Sequence, residues 1–132
     1  RGNFLVTNAD TWLGSGIEVI GKSEMQAMGV VEVDECGRYG SVLIKDGYIN
    51  LFKEKSLNSG SGWINAGLSK LDTDIFASWD GDPFSLEEVI FPALAARGDL
   101  LAIKLKTIFI DIGIPADYQL FCEWAKTNNL LL

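Results

Sequence analysis

Phe4-Leu5-Val6-Thr7-Asn8-Ala9-Asp10 is an apolar run that closes on a carboxylate, and Ile108-Phe109-Ile110-Asp111-Ile112-Gly113, near the other end of the chain, does the same. Both runs are rich in branched and aromatic side chains that fit a pleated, buried surface. Each therefore reads as a strand with its aspartate where the strand gives out. In open α/β sheets, ligands bind in the crevice outside the carboxyl ends of the strands. Two hard, anionic groups brought there would suit a magnesium ion, which is held by one or two carboxylates plus substrate phosphates. The pair points to phosphate chemistry.

Working outward, the first strand spans about residues 3 to 8, followed by a turn at Leu13-Gly14-Ser15-Gly16 and a short mixed segment to Lys22. Met25 to Val33 is apolar enough for a second strand, and Asp34 to Tyr39 is a loop. Ser41–Lys45 and Tyr48–Phe52 flank Asp46-Gly47, the strongest short hairpin signal in a sequence. Ser56 to Gly62 reads as a polar surface loop, and Trp63 to Leu68 as a strand with a small-residue break. A short helix is expected at Thr73 to Trp79, then the acidic turn Asp80-Gly81-Asp82-Pro83. Ser85-Leu86-Glu87-Glu88 is a capping-box pattern that opens a helix to Arg97, with Gly98 as its stop and Pro92 set to kink or divide it. Leu100–Leu105 and Thr107–Ile110 are closing strands. Pro115 starts a last helix to Lys126, whose Tyr118, Phe121, Cys122 and Ala125 recur at helical spacing and predict one buried face. This order predicts an α/β domain with antiparallel parts. A parallel sheet covered on both faces needs more helices than the chain offers, so the sheet looks short of one flank.

A length of 132 residues with 48% apolar side chains suits one domain with a single core. No apolar run reaches membrane-spanning length. The chain opens as Arg1-Gly2-Asn3 almost directly into a strand, which leads us to expect a start inside a larger fold. The net charge of −7, with no lysines and arginines gathered into a stripe, argues against a nucleic-acid surface but leaves room for local phosphate binding. Cys36 and Cys122 give neither a disulfide framework nor metal-ligand spacing, which fits a reduced, cytoplasmic setting. Histidine is absent, which excludes Ser-His-Asp and Cys-His arrangements and HExxH zinc sites. Any catalysis must run on carboxylates, lysines, hydroxyls, backbone amides and metal.

Six segments occur in one order: Asn8-Ala9-Asp10-Thr11, Arg38-Tyr39-Gly40, Phe52-Lys53-Glu54-Lys55, Trp63-Ile64-Asn65-Ala66-Gly67, Phe84-Ser85-Leu86-Glu87-Glu88, and Phe109 through Tyr118. Together they resemble the C-terminal half of the sugar-nucleotide pyrophosphorylase (nucleotidyltransferase) family, most nearly its mannose-1-phosphate and heptose-1-phosphate guanylyltransferase-like members. The likeness runs from about Asn3 to Tyr118. It implies a Rossmann-like fold with a mixed, mostly parallel sheet and flanking helices. It further implies that residues 1–132 are one sugar-phosphate and metal-binding portion, lacking the N-terminal nucleotide-binding part. The reaction so implied joins a nucleoside triphosphate to a sugar 1-phosphate and releases pyrophosphate. By position, Asp10 and Asp111 would hold Mg2+, and Lys55 would contact the sugar phosphate. Glu54 would hold sugar hydroxyls, while Gly40, Asn65, Ala66 and Gly67 would line the sugar pocket. The implied partners are the sugar 1-phosphate and the triphosphate, with either a missing N-terminal segment or a homo-oligomer, and with neither nucleic acid nor membrane.

Two departures stand out. Ala9 occupies a position where the family usually carries glycine, and the G-x-G-T-R loop with its following Pro-Lys pair is absent. The missing loop leaves open a non-catalytic binding or regulatory relative, and the strand-end aspartates leave open a glycosyltransferase that uses a nucleotide sugar with a divalent metal. Among the remaining residues, Lys53 reads as an outward strand residue and Asp80-Gly81-Asp82-Pro83 as a plain turn. Trp63 reads as packing at the mouth of the pocket strand, and Cys122 as a small core residue.

Overall fold

The structure, a computed structural model, describes residues 2–55 and 60–130. Eight strands run in chain order as β1 (Asn3–Thr7), β2 (Thr11–Leu13), β3 (Ala27–Val33), β4 (Ser41–Lys45), β5 (Tyr48–Lys53), β6 (Gly62–Asp72), β7 (Leu101–Lys104) and β8 (Phe109–Asp111). Among the described residues three α-helices accompany them, α1 (Ile17–Gly21), α2 (Phe91–Arg97) and α3 (Pro115–Thr127), with a 3-10 turn at Thr73–Phe76 and a π-helical turn at Leu86–Ile90. Six strands form one sheet in the order β1-β6-β3-β7-β5-β4, and β2 pairs with β8 in a separate two-stranded ribbon.

The mixed α/β class expected from sequence holds, but the balance inside the sheet differs from a mostly parallel one. Among the described residues only β3 and β7 run parallel, whereas β1–β6, β3–β6, β4–β5, β5–β7 and β2–β8 are antiparallel. The β4–β5 pairing is antiparallel because a two-residue hairpin can join only antiparallel strands. At its tip Asp46 and Gly47 adopt φ of 51° and 84°, the left-handed pair that a tight hairpin needs.

The sheet buries both faces. On one, Met28, Val30, Val42, Ile49, Leu71 and Leu100 meet Phe91, Leu94 and Ala95 of α2. Rings of Phe52 and Phe91 stack there at 6.3 Å. On the other face Val31, Cys36, Ile64, Ala66 and Leu105 are covered by Leu13, Tyr39 and Phe109, from the ribbon and the loop before β4. The ribbon in turn rests on α3, where Trp12 lies 5.6 Å from Phe121 and 5.5 Å from Trp124. Ala125 is buried as expected, but Tyr118 is 55% exposed, because the ribbon offers only a narrow seat.

Pro92 divides its helix as expected. A π-helical turn over Leu86–Ile90 precedes α2, with the Ser85 hydroxyl accepting the Glu88 N–H at 3.2 Å and Pro92 in the first turn of α2. Gly98 ends the helix at φ 70°. Of the loop expected at Ser56–Gly62, positions 56–59 lie outside the described residues, and Gly62 belongs instead to β6. The acidic turn is a plain one: the Asp82 N–H donates to Asp80 Oδ1 at 3.0 Å. Among the described residues no helix is long and apolar enough to cross a membrane.

Ile64 is fully buried between the sheet and the ribbon. Ile64→Ala should cost about 2–5 kcal/mol of unfolding free energy in urea titrations. The same truncation at Leu43, which is 42% exposed, should stay within about 0.5 kcal/mol.

Candidate active site

The β2–β8 ribbon sets Thr11 opposite Asp111, and one step further the Ile112 N–H donates to the Asp10 carbonyl at 2.8 Å. The two aspartates from opposite ends of the chain thus become neighbours. A Cβ built on Gly113 would lie 3.0 Å from Asp111 Oδ1 and 3.1 Å from Asp10 Oδ2. Both oxygens therefore lie close to Gly113, whose missing side chain leaves room for the two carboxylates side by side. The Gly113 N–H also donates to Asp111 Oδ1 at 2.9 Å. In sequence Gly113 reads only as a turn glycine, so this part of the arrangement is new.

Asp10 is delivered by the segment that leaves β1. The Asn8 N–H donates to the Gly67 carbonyl at 2.8 Å, and the Asn8 side chain lies where a Cβ on Gly67 would come within 3.1 Å of it. Gly67 has φ +74°, and its N–H donates to Asn65 Oδ1 at 2.9 Å. Asn65 and Gly67 thus form a kink in β6 over which the chain passes on its way to Asp10.

Arg38, on the loop before β4, donates from one guanidinium nitrogen to two carboxylates. Its Nη2 lies 2.8 Å from Asp111 Oδ2 and also bonds Asp117 Oδ2 at the start of α3. Its guanidinium sits 4.8 Å from the centre of the Tyr39 ring, which meets Phe109 edge-on at 5.7 Å. These acceptors, Asp117 foremost and then Asp111, hold the guanidinium even more firmly protonated than usual. For Asp111, partial burial pushes the carboxyl up. The Arg38 and Gly113 hydrogen bonds, with the charges of Arg38 and Lys55, outweigh it and hold Asp111 below the usual aspartate range.

Tyr39, under the Arg38 guanidinium, and Lys55, whose charge acts on Asp111, both line a cleft of about 510 Å³, together with Gly40, Phe52, Lys53, Glu54, Asn65 and, from the π-helical turn, Glu87 and Glu88. Gly40 allows this wall to form: at φ +75°, a Cβ there would lie 2.8 Å from the Lys53 carbonyl. Glu87 also borders a smaller hollow of about 200 Å³ with Asn8, Asn65 and Gly67. Lysines can take an anionic group, and carboxylates and an amide can take hydroxyls, so the lining suits a ligand that carries both.

The cleft thus gathers Gly40, Glu54, Lys55 and Asn65, while Gly67 borders the adjoining hollow. Ala66 does not reach either. It is buried with Ile64, because strand alternation turns both to the core and Asn65 to the cleft. Lys53, read from sequence as outward, borders the cleft because β5 ends there and alternation lapses. Trp63 stands away from the cleft, with Lys104 Nζ 4.6 Å from its ring centre. Glu87 and Glu88 stand in the sequence as helix-opening residues within one of the six family-like segments, with no site role assigned to them.

No family model matches the chain. The mannose-1-phosphate guanylyltransferase catalytic subunit beta of Drosophila pseudoobscura pseudoobscura is 37% identical over 90 residues, which is 67% of this chain and 24% of that protein. The mannose-1-phosphate guanyltransferase of Aspergillus fumigatus is 33% identical over 111 residues, covering 78% of this chain and 30% of that protein. The crystal structure of HddC from Yersinia pseudotuberculosis superposes with a TM-score of 0.80 at 35% identity, over 94% of this chain and 56% of that one. The chain is thus similar, over the aligned residues, to one portion of sugar-1-phosphate guanylyltransferases. It spans about a quarter of the length of the curated relatives it matches and just over half of HddC. HddC has also been crystallised in complex with GMP-PN, with a TM-score of 0.79 to this chain.

The lowered carboxyl of Asp111 has a consequence for stability. Its contribution is complete above the ordinary aspartate range, near pH 4, and is lost as pH falls through the lower folded value. In urea titrations without metal, wild type should therefore exceed Asp111→Asn in stability at pH 6, and the gap should shrink by pH 3.

Proposed function

We propose that this chain is the sugar-phosphate and metal-binding portion of a sugar-1-phosphate nucleotidyltransferase. In the complete polypeptide, a sugar 1-phosphate oxygen attacks the α-phosphorus of a nucleoside triphosphate. The bond to the β-phosphate breaks, and pyrophosphate leaves as the nucleotide sugar forms. The observation that carries this reading is the pairing of Asp10 Oδ2 and Asp111 Oδ1 beside Gly113, with Lys55, whose charge acts on Asp111, also lining the cleft with Glu54. The 35% identity to HddC and the relatives named as guanylyltransferases support it.

The donor set fits Mg2+. Among the described residues no three Cys, Asp or Glu side chains cluster as a ligand set, but magnesium is commonly held by one or two carboxylates, with water and substrate phosphates completing its shell. Asp10 and Asp111 would hold it, and when bound it would neutralise charge on the phosphates. The other roles fall to the chain itself. Lys55 pairs with the sugar phosphate and holds it for attack, while Glu54 and Glu87 accept from hydroxyls, Asn65 accepts or donates, and together they fix the ring. The attacking oxygen is already ionised, so no general base is needed, and the lack of histidine is no obstacle. Rate comes from positioning and charge stabilisation rather than from covalent chemistry.

In the intact polypeptide, Asp10→Asn and Asp111→Asn should each lower magnesium-dependent pyrophosphate release by orders of magnitude. Gly113→Ala, which sets a methyl group 3.0 Å from Asp111 Oδ1 and 3.1 Å from Asp10 Oδ2 and so displaces them, should act in the same direction. Its backbone is not in the left-handed region, so its melting temperature should stay within a few degrees of wild type. Lys55→Ala should raise the KM for sugar 1-phosphate by about 10–100-fold, the worth of one charge-assisted hydrogen bond, with little change in the KM for the triphosphate. Steady-state assay of pyrophosphate would decide this. Near-normal turnover in both aspartate variants would overturn the metal assignment.

A further inference from the structure

We infer that Arg38 is a positioning residue for the metal site: it holds Asp111 by one carboxylate oxygen so that the other is presented on the side where Asp10 lies. The inference rests on the metal role proposed for Asp111.

The two oxygens of Asp111 have separate partners. Oδ2 accepts from Arg38 Nη2 at 2.8 Å, and Oδ1 accepts from the Gly113 N–H at 2.9 Å. A carboxylate turns easily about its last bond. With a donor fixed on each oxygen, that rotation is stopped, and Oδ1 stays on the side where Asp10 Oδ2 also lies. The arginine does not compete for Oδ1, because it occupies the other oxygen. Outer partners of this kind orient metal-binding carboxylates, and their loss commonly costs 10–100-fold in affinity.

Arg38 is itself held in place. Asp117 binds the same nitrogen from α3, and the guanidinium lies 4.8 Å from the Tyr39 ring centre. The side chain is 41% exposed while Asp111 and Asp117 are 22% and 20% exposed, so the carboxylates are the more sheltered partners. Tyr39 and Gly40, the next residues along, border the cleft. One short loop therefore shapes the cleft wall and aims the metal carboxylate, and a change in one is felt by the other.

The test is Mn2+ binding without substrates, followed by electron paramagnetic resonance on the intact polypeptide, together with the Mg2+ concentration that gives half-maximal rate. Arg38→Met should raise the Mn2+ dissociation constant about tenfold and the half-maximal Mg2+ concentration by a similar factor, with kcat at saturating Mg2+ changed less. Arg38→Lys should fall between, because an ammonium is a single point and lacks the planar fork. If Arg38→Met lowers the melting temperature but leaves Mn2+ affinity unchanged or tighter, Arg38 is only a structural strut and the inference is overturned. If Arg38→Met does not fold, Asp117→Asn, which frees Arg38 from α3, should give a smaller loss of the same sign; unchanged affinity there overturns the inference as well. Should Asp111→Asn bind Mn2+ as wild type does, Asp111 is no ligand, and both this inference and the metal reading beneath it fall. Weaker binding by Asp111→Asn with no effect of Arg38→Met would overturn the arginine's role alone.

Discussion

The antiparallel pairing of three residues with three others, Thr11–Leu13 with Phe109–Asp111, is the constraint on which the site depends. It lies outside the main sheet, and by itself a two-stranded ribbon is marginal in water. Support comes from both sides: Leu13 and Phe109 pack on the sheet, and Trp12 packs on Phe121 and Trp124 of α3. With that support, one backbone hydrogen bond from Ile112 to Asp10 carries the register to the carboxylates. Had the ribbon slipped by one residue, the alternation of its side chains would turn Asp111 to the opposite face.

Much of this architecture was legible wherever a local rule acts alone. Asp46-Gly47 declared a hairpin because few residues accept positive φ in succession, and Ser85 declared a helix start because its hydroxyl can take the Glu88 amide. Asp10 and Asp111 stood out because strands end on them. Less legible were features made by distant segments. Nothing local marks Arg38 as the partner of Asp111 and Asp117, which lie 73 and 79 positions away. Gly113 looks like any turn glycine until both carboxylates are placed beside it. The expectation of a mostly parallel sheet failed for a related reason: strand direction follows from connections and pairings across the chain. Ala66 was drawn into the pocket by its neighbours, although simple alternation between Asn65 and Ala66 separates them.

The charge pattern resolves an apparent conflict. A chain with net charge −7 is proposed to hold an anionic sugar phosphate. At physiological ionic strength, exposed charges farther away than about 8 Å are largely screened. What a phosphate feels is its immediate surroundings, and Lys53 and Lys55 stand at the cleft wall. The acidic groups on the same cleft, Glu54, Glu87 and Glu88, suit hydroxyls rather than a second anion. The lining thus suits the two unlike ends of the proposed sugar phosphate.

The joining of the chain's two ends in one ribbon also fixes when the site can exist. The β4–β5 hairpin closes over two residues at little entropic cost, whereas the ribbon must close the long loop from Leu13 to Phe109. Contacts of such wide sequence separation cost entropy before they return stabilisation, so they form late in folding. The carboxylates meet only after the sheet and α3 have given the ribbon its seat. A partly folded chain therefore lacks the pairing of Asp10 with Asp111, so under the proposed metal role divalent-ion binding marks the end of folding.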